Sequence, residues 1–150
     1  MSHRLACEHA GLIAGIASMA GMTYYDPNSC HPTQPVHVLQ IQGSADGYLG
    51  GYITGGLPVV GELPGAVRAV QIWAGFNGCQ NPVVEAAPSL DLTLQVPGID
   101  TTVLRYTQCS PGGSVELWTV NGGDHYLFWH NFSPQFLELL VDWLLAHPKP

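Results

Sequence analysis

Two short turns carry the residues best suited to chemistry. Gly122-Gly123-Asp124-His125 follows the apolar run 115–120, and Gly43-Ser44-Ala45-Asp46 follows the apolar run 36–41. An imidazole on a glycine-containing turn just past a strand is exposed enough to move a proton, yet held by a rigid scaffold. Gly122 and Gly123 allow tight backbone and leave room for a bound molecule. A carboxylate facing such an imidazole fixes its tautomer and stabilises its cation, and the two together act as a general base. Each residue also has a plainer reading, His125 as a loop side chain and Asp46 as the cap of a Ser-Ala-Asp-Gly turn. The choice rests on whether the two strand ends face one site.

The elements that must position these turns are read from the hydrophobic pattern. Residues 2–10 read as the end of a helix, with Leu5 and Ala6 turned inward and Gly11 as its stop. Residues 12–20 are nearly all apolar and do not alternate, which predicts a strand covered on both faces, as in a parallel sheet. The stretch 24–35 is loop with a turn at Asp26-Pro27-Asn28, and Val36-His37-Val38-Leu39-Gln40-Ile41 is a second strand. The Gly- and aromatic-rich stretch 47–63 reads as an irregular surface loop. Helical spacing of Val67, Val70 and Trp73 predicts a helix over 64–74, opened by Pro64 and closed by the glycines 75–78. Clean alternation over 90–96, then Pro97-Gly98-Ile99-Asp100, predicts a hairpin with a strand at 101–106. The last strand is 115–120. Ser133 then caps a helix over 134–146, with Phe136, Leu139, Leu140, Trp143 and Leu144 as its apolar stripe.

This order indicates one α/β domain over residues 1–150, a parallel sheet flanked by helices with a hairpin before the last strand. The 46% hydrophobic content against 10% charged residues excludes disorder. A net charge of −7 with four Lys plus Arg argues against nucleic acid and against a polybasic membrane surface, since phosphates would find too few cations. No apolar stretch approaches the twenty or so residues of a membrane span. The four cysteines are compatible with two disulfides in an oxidising compartment, or with free buried thiols. Metal binding through Glu8, His9, Cys30, His31 or His37 is disfavoured, because these residues form no ligand-spaced set, and no cofactor is expected.

Taken together, several segments resemble the second half of secreted polyhydroxybutyrate depolymerases and feruloyl esterases. They are Arg4-Leu5-Ala6-Cys7-Glu8, Ile16-Ala17-Ser18-Met19-Ala20-Gly21, Gln42-Gly43-Ser44-Ala45-Asp46, Trp73-Ala74-Gly75-Phe76-Asn77-Gly78-Cys79, Tyr106-Thr107-Gln108-Cys109 and Gly122-Gly123-Asp124-His125. Their order is the same, and the resemblance runs from about Met1 to His147. It implies an α/β-hydrolase fold and hydrolysis of a small or polymeric ester, with Asp46 and His125 as two members of a Ser–Asp–His triad. It also implies a Cys79–Cys109 disulfide and a Cys7–Cys30 disulfide, each stabilising by roughly 3–4 kcal/mol. An extracellular or periplasmic location follows, with a signal peptide expected upstream.

The chain departs from that pattern in instructive places. Gln42-Gly43-Ser44 stands where the family has His-Gly-Thr. Asp124 replaces a glycine before His125, and an extra carboxylate there is expected to favour the imidazolium and weaken it as a base. The nucleophile elbow, Gly-x-Ser-x-Gly, is missing: Ser18 lies between Ile16 and Ala20, and Ser44 between Gln42 and Asp46. The expectation is therefore a partial α/β-hydrolase that begins just after its nucleophile and is inactive alone; the alternative is a non-catalytic module acting by association or binding. A doubly apolar first strand predicts a homo-oligomer formed through an exposed sheet edge. Tyr24, Tyr25, Tyr48 and Tyr52, with Trp129, line a groove for an aromatic or polymeric substrate or else pack as ordinary loop residues, and His130 reads as a loop residue.

Overall fold

The elements run α1 (Ser2–Glu8), β1 (Gly15–Met19), β2 (His37–Gly43), β3 (Thr54–Leu57), β4 (Gly61–Pro64), α2 (Ala66–Phe76), β5 (Pro82–Val84), β6 (Thr101–Tyr106), β7 (Ser114–Val120) and α3 (Phe136–Leu145). This computed structural model describes residues 1–48, 51, 54–57, 61–84, 87–126 and 131–150, without the side chains of 54–57 and 61–63.

Strand β2 is the axis. From Val38 to Gly43 every residue is buried, which requires cover on both faces. It pairs in parallel with β1 on one side and β7 on the other. Beyond β7 the sheet turns antiparallel, through β6 to β5, so the five-stranded order is β1-β2-β7-β6-β5. The sheet is thus mixed, with parallel pairing from β1 to β7 and antiparallel pairing from β7 to β5.

Two cores form because alternate side chains point to opposite faces. Ile16, Val38, Val115 and Leu117 meet Ala6 and Cys7 of α1 and Ala66, Val70 and Trp73 of α2. Leu39, Ile41, Val103, Trp118 and Val120 meet Phe136 and Trp143 of α3. Asn77 locks the end of α2 to the sheet: its Oδ1 accepts from the Val36 N–H and its Nδ2 donates to the Val36 carbonyl. Gly78, at φ +61°, then takes the left-handed turn that releases the chain from the helix.

Several expectations are corrected. Residues 90–96 are not a strand. The Leu92 and Thr93 N–H groups both donate to the Asp100 carboxylate, which turns the chain and leaves only single bridges at Leu90 and Thr93. The hairpin is instead β6 with β7 itself, and β5 holds the outer edge of β6. The stretch 47–63 holds most of the antiparallel ribbon β3–β4, which ends at Pro64, so Gly65 and not Pro64 opens α2. In α1, Ala6 is inward but Leu5 is 43% exposed, and His3 takes the inward place. Strand β1 starts at Gly15, leaving Leu12 exposed. Ser133 does not cap α3 with its side chain: Gln135 is the N-cap residue, and Ser133 Oγ donates to the Asp91 carbonyl.

Candidate active site

Because β2 and β7 are parallel neighbours in register, with Gly43 opposite Val120, they leave the sheet side by side at their carboxyl ends. The two turns that follow are stitched together. Ser44 N–H donates to the Val120 carbonyl at 2.9 Å, Ala45 N–H to the Gly123 carbonyl at 2.9 Å, and Gly122 N–H to Ser44 Oγ at 2.8 Å. Gly43 faces the Gly123 and Asp124 carbonyls so closely that any Cβ would overlap them. Gly122 sits at φ +78°, in the left-handed region.

This framework brings Asp46 and His125 together. His125 Nδ1 lies 2.8 Å from Asp46 Oδ2, with the Asp46 side chain fully buried and that of His125 23% exposed. Asp46 Oδ1 accepts the Tyr48 N–H at 2.8 Å, and Oδ2 also accepts from Gln42 Nε2. Turn cap and imidazole partner were alternative readings of Asp46; its two oxygens do both. With Nδ1–H donated to the carboxylate, Nε2 is the ring nitrogen left to take up a proton. The Tyr48 ring lies 4.7 Å from the imidazole and the Tyr126 ring 5.6 Å from it, edge-on. The Asp124 carboxylate accepts the Tyr126 N–H at 2.8 Å, closing the turn just after the imidazole.

Cys7 is bonded to Cys30 and Cys79 to Cys109. Tyr24 packs against the core under α1 and α2, and Tyr25 is exposed. Tyr52, Trp129 and His130 lie outside the described residues. Glu8 pairs with Arg4, and His37 Nδ1 lies 2.9 Å from Ser114 Oγ. Ser44 spends its hydroxyl on the Gly122 N–H.

Sequence reasoning missed the side chains behind Asp46. Gln40 and Gln42 are both fully buried, and His3 is 3% exposed. Burial pushes the His3 pKa down to about 4, against the upward pull of its hydrogen bond with Gln40. The available signal was two glutamines at alternate positions of an otherwise apolar strand. Polar groups placed so must be hydrogen-bonded to one another or to something equally buried.

No family model matches the chain. The chain is similar to feruloyl esterase B of Piromyces equi, at 29% identity over 83% of this chain and 22% of that protein. It is also similar to a protein of Nocardia uniformis subsp. tsuyamanensis named "Putative esterase NocK", at 31% identity over 83% of this chain and 38% of that protein. The distant likeness is thus to esterases, and the chain spans between about a fifth and two fifths of the length of these relatives. A mixed sheet flanked by helices is compatible with part of an α/β-hydrolase.

Proposed function

We propose that this chain supplies the acid and base of a serine-type carboxylic ester hydrolase. Asp46 orients His125, and His125 takes the proton from a serine hydroxyl as it attacks an ester carbonyl. The observation that carries this reading is the 2.8 Å contact between a buried carboxylate and a partly exposed imidazole, at the carboxyl ends of adjacent parallel strands. The likeness to two named esterases supports the same chemistry. The sequence has no Gly-x-Ser-x-Gly, so the serine comes from a segment of a longer protein. Tyr48 and Tyr126 beside the imidazole suit an ester carrying a flat or aromatic group, feruloyl esters included, and polyesters of the hydroxybutyrate type are the second substrate class. The paired cysteines suit an extracellular or periplasmic setting.

The test compares two proteins, the 150-residue chain and the product of the reading frame that includes the codons upstream of Met1. Fluorophosphonate labelling and hydrolysis of feruloyl and p-nitrophenyl esters are measured on both. The expected result is silence in the first and activity in the second, lost on His125→Ala. Labelling of the short chain, or full activity in the His125→Ala protein, overturns the proposal.

A further inference from the structure

Behind the Asp46–His125 pair a file of buried side chains crosses the sheet face beneath α1. His3 Nε2 lies 3.1 Å from Gln40 Oε1. Gln40 Nε2 donates to Gln42 Oε1 at 3.0 Å and to the Gly21 carbonyl at 3.1 Å. Gln42 Nε2 donates to Asp46 Oδ2, the oxygen that faces His125 Nδ1.

The direction of this file is determined by its chemistry. An ionised carboxylate and a peptide carbonyl only accept, so Gln42 must turn its NH2 toward Asp46, and Gln40 must turn its NH2 toward Gly21. Gln42 Oε1 is then left to accept from Gln40, and Gln40 Oε1 to accept from His3. His3 therefore carries its proton on Nε2, which matches a buried Nδ1 with no partner among the described residues. From His3 through Gln40 to Gln42, each group directs one N–H along the file toward Asp46, and the second N–H of Gln40 goes to the Gly21 carbonyl. Successive donors aligned this way polarise one another and favour negative charge at the end they face. The carboxylate is held at both oxygens: the Tyr48 N–H fixes Oδ1, and Gln42, at the end of the file, fixes Oδ2 in the direction of the imidazole.

We propose that Gln42, backed by Gln40 and His3, is the positioning residue of the Asp46–His125 pair, holding Asp46 Oδ2 on His125 Nδ1 so that the Nδ1–H tautomer is maintained. The inference rests on the functional reading above. Gln42 touches neither the imidazole's free nitrogen nor the reacting atoms. It acts through the carboxylate, whose orientation sets which ring nitrogen stays bare.

Nuclear magnetic resonance of the 150-residue chain tests this without a substrate. In the unmutated protein the Gln42 Nε2 protons and the His125 Nδ1 proton point at the same oxygen, so a cross-relaxation peak between them is expected; its absence overturns the proposal. Gln42→Met keeps the length and removes the donor, and is expected to lose the low-field Nδ1–H signal and to shift the His125 ring nitrogens toward the other tautomer. Gln42→His presents one N–H and one bare nitrogen, the same donor and acceptor, and is expected to keep the signal. Persistence of the signal in Gln42→Met, or its equal loss in both variants, overturns the proposal. Should Gln42→Met fail to fold by leaving Gln40 unpaired, the peak in the unmutated protein decides. Asp46→Asn separates the two levels. If that change leaves the His125 tautomer untouched, the pair itself is wrong; if it moves the tautomer while Gln42→Met does not, only the positioning role falls.

Discussion

Gly43 and Gly123 approach so closely that a methyl group on the first would overlap the carbonyl oxygen of the second. They belong to turns far apart in sequence, and Asp46 and His125 each sit a few residues beyond. Gly43→Ala is therefore expected to push the turns apart. Because the obstacle is backbone, which cannot swing aside as a side chain can, the predicted cost is about 1–3 kcal/mol of stability. The His125–Asp46 contact should open with it. Denaturant unfolding and the His125 ring nitrogen shifts check this; unchanged values in both would show that the turns are free to adjust.

His3 makes stability depend on pH. The fold holds it neutral down to about pH 4, whereas an unfolded histidine protonates near 6.5. Between these values the unfolded chain binds more protons, so this contribution is fully present above about pH 6.5 and is lost as the pH falls toward 4. The slope is on the order of 1 kcal/mol per pH unit. His37, whose pKa is lowered first by burial, adds in the same direction. Urea midpoints between pH 4 and 7 should therefore fall with acid, and His3→Gln should flatten the curve. An equally steep curve in that variant would remove His3 as the cause.

The Cys79–Cys109 bridge ties the residues just after α2 to the connection between β6 and β7, the strand that carries His125 at its end. Replacing both cysteines by serine is expected to cost roughly 3 kcal/mol, from the loop that the bond closes in the unfolded chain. A melting temperature unchanged by the double substitution would contradict this.

Strand β1 pairs only with β2, and among the described residues no strand lies on its other edge. An open parallel edge invites pairing with another chain. Size-exclusion chromatography with light scattering is expected to show a dimer or larger at micromolar concentration. A monomer across the concentration range would count against association through this edge.

The aromatic rings beside the imidazole give a prediction for the longer protein proposed above. Tyr48→Ala should weaken feruloyl ester hydrolysis more than acetyl ester hydrolysis, by roughly two- to tenfold, since an aromatic contact is worth about 0.5–1.5 kcal/mol. Equal losses on the two esters would assign Tyr48 to holding the loop, where its N–H already caps Asp46.

What the sequence determined by itself was local. Glycine turns after apolar runs placed Asp46 and His125 at strand ends, and helical spacing found the buried Val70, Trp73, Phe136 and Trp143, because these signals act over a few residues. Where a distant group competed, the local pattern failed. Alternation over residues 90–96 reads as a strand, but the Asp100 carboxylate takes two successive N–H groups and turns the chain. The tertiary structure alone decided that β2 and β7 are parallel neighbours in register, since hydrogen-bonded pairing joins segments whose separation leaves no trace in composition. That register places a carboxylate against an imidazole 79 positions away and lines up His3, Gln40 and Gln42 behind it. Buried polar groups must find partners, and which partners they find is settled only when the sheet closes.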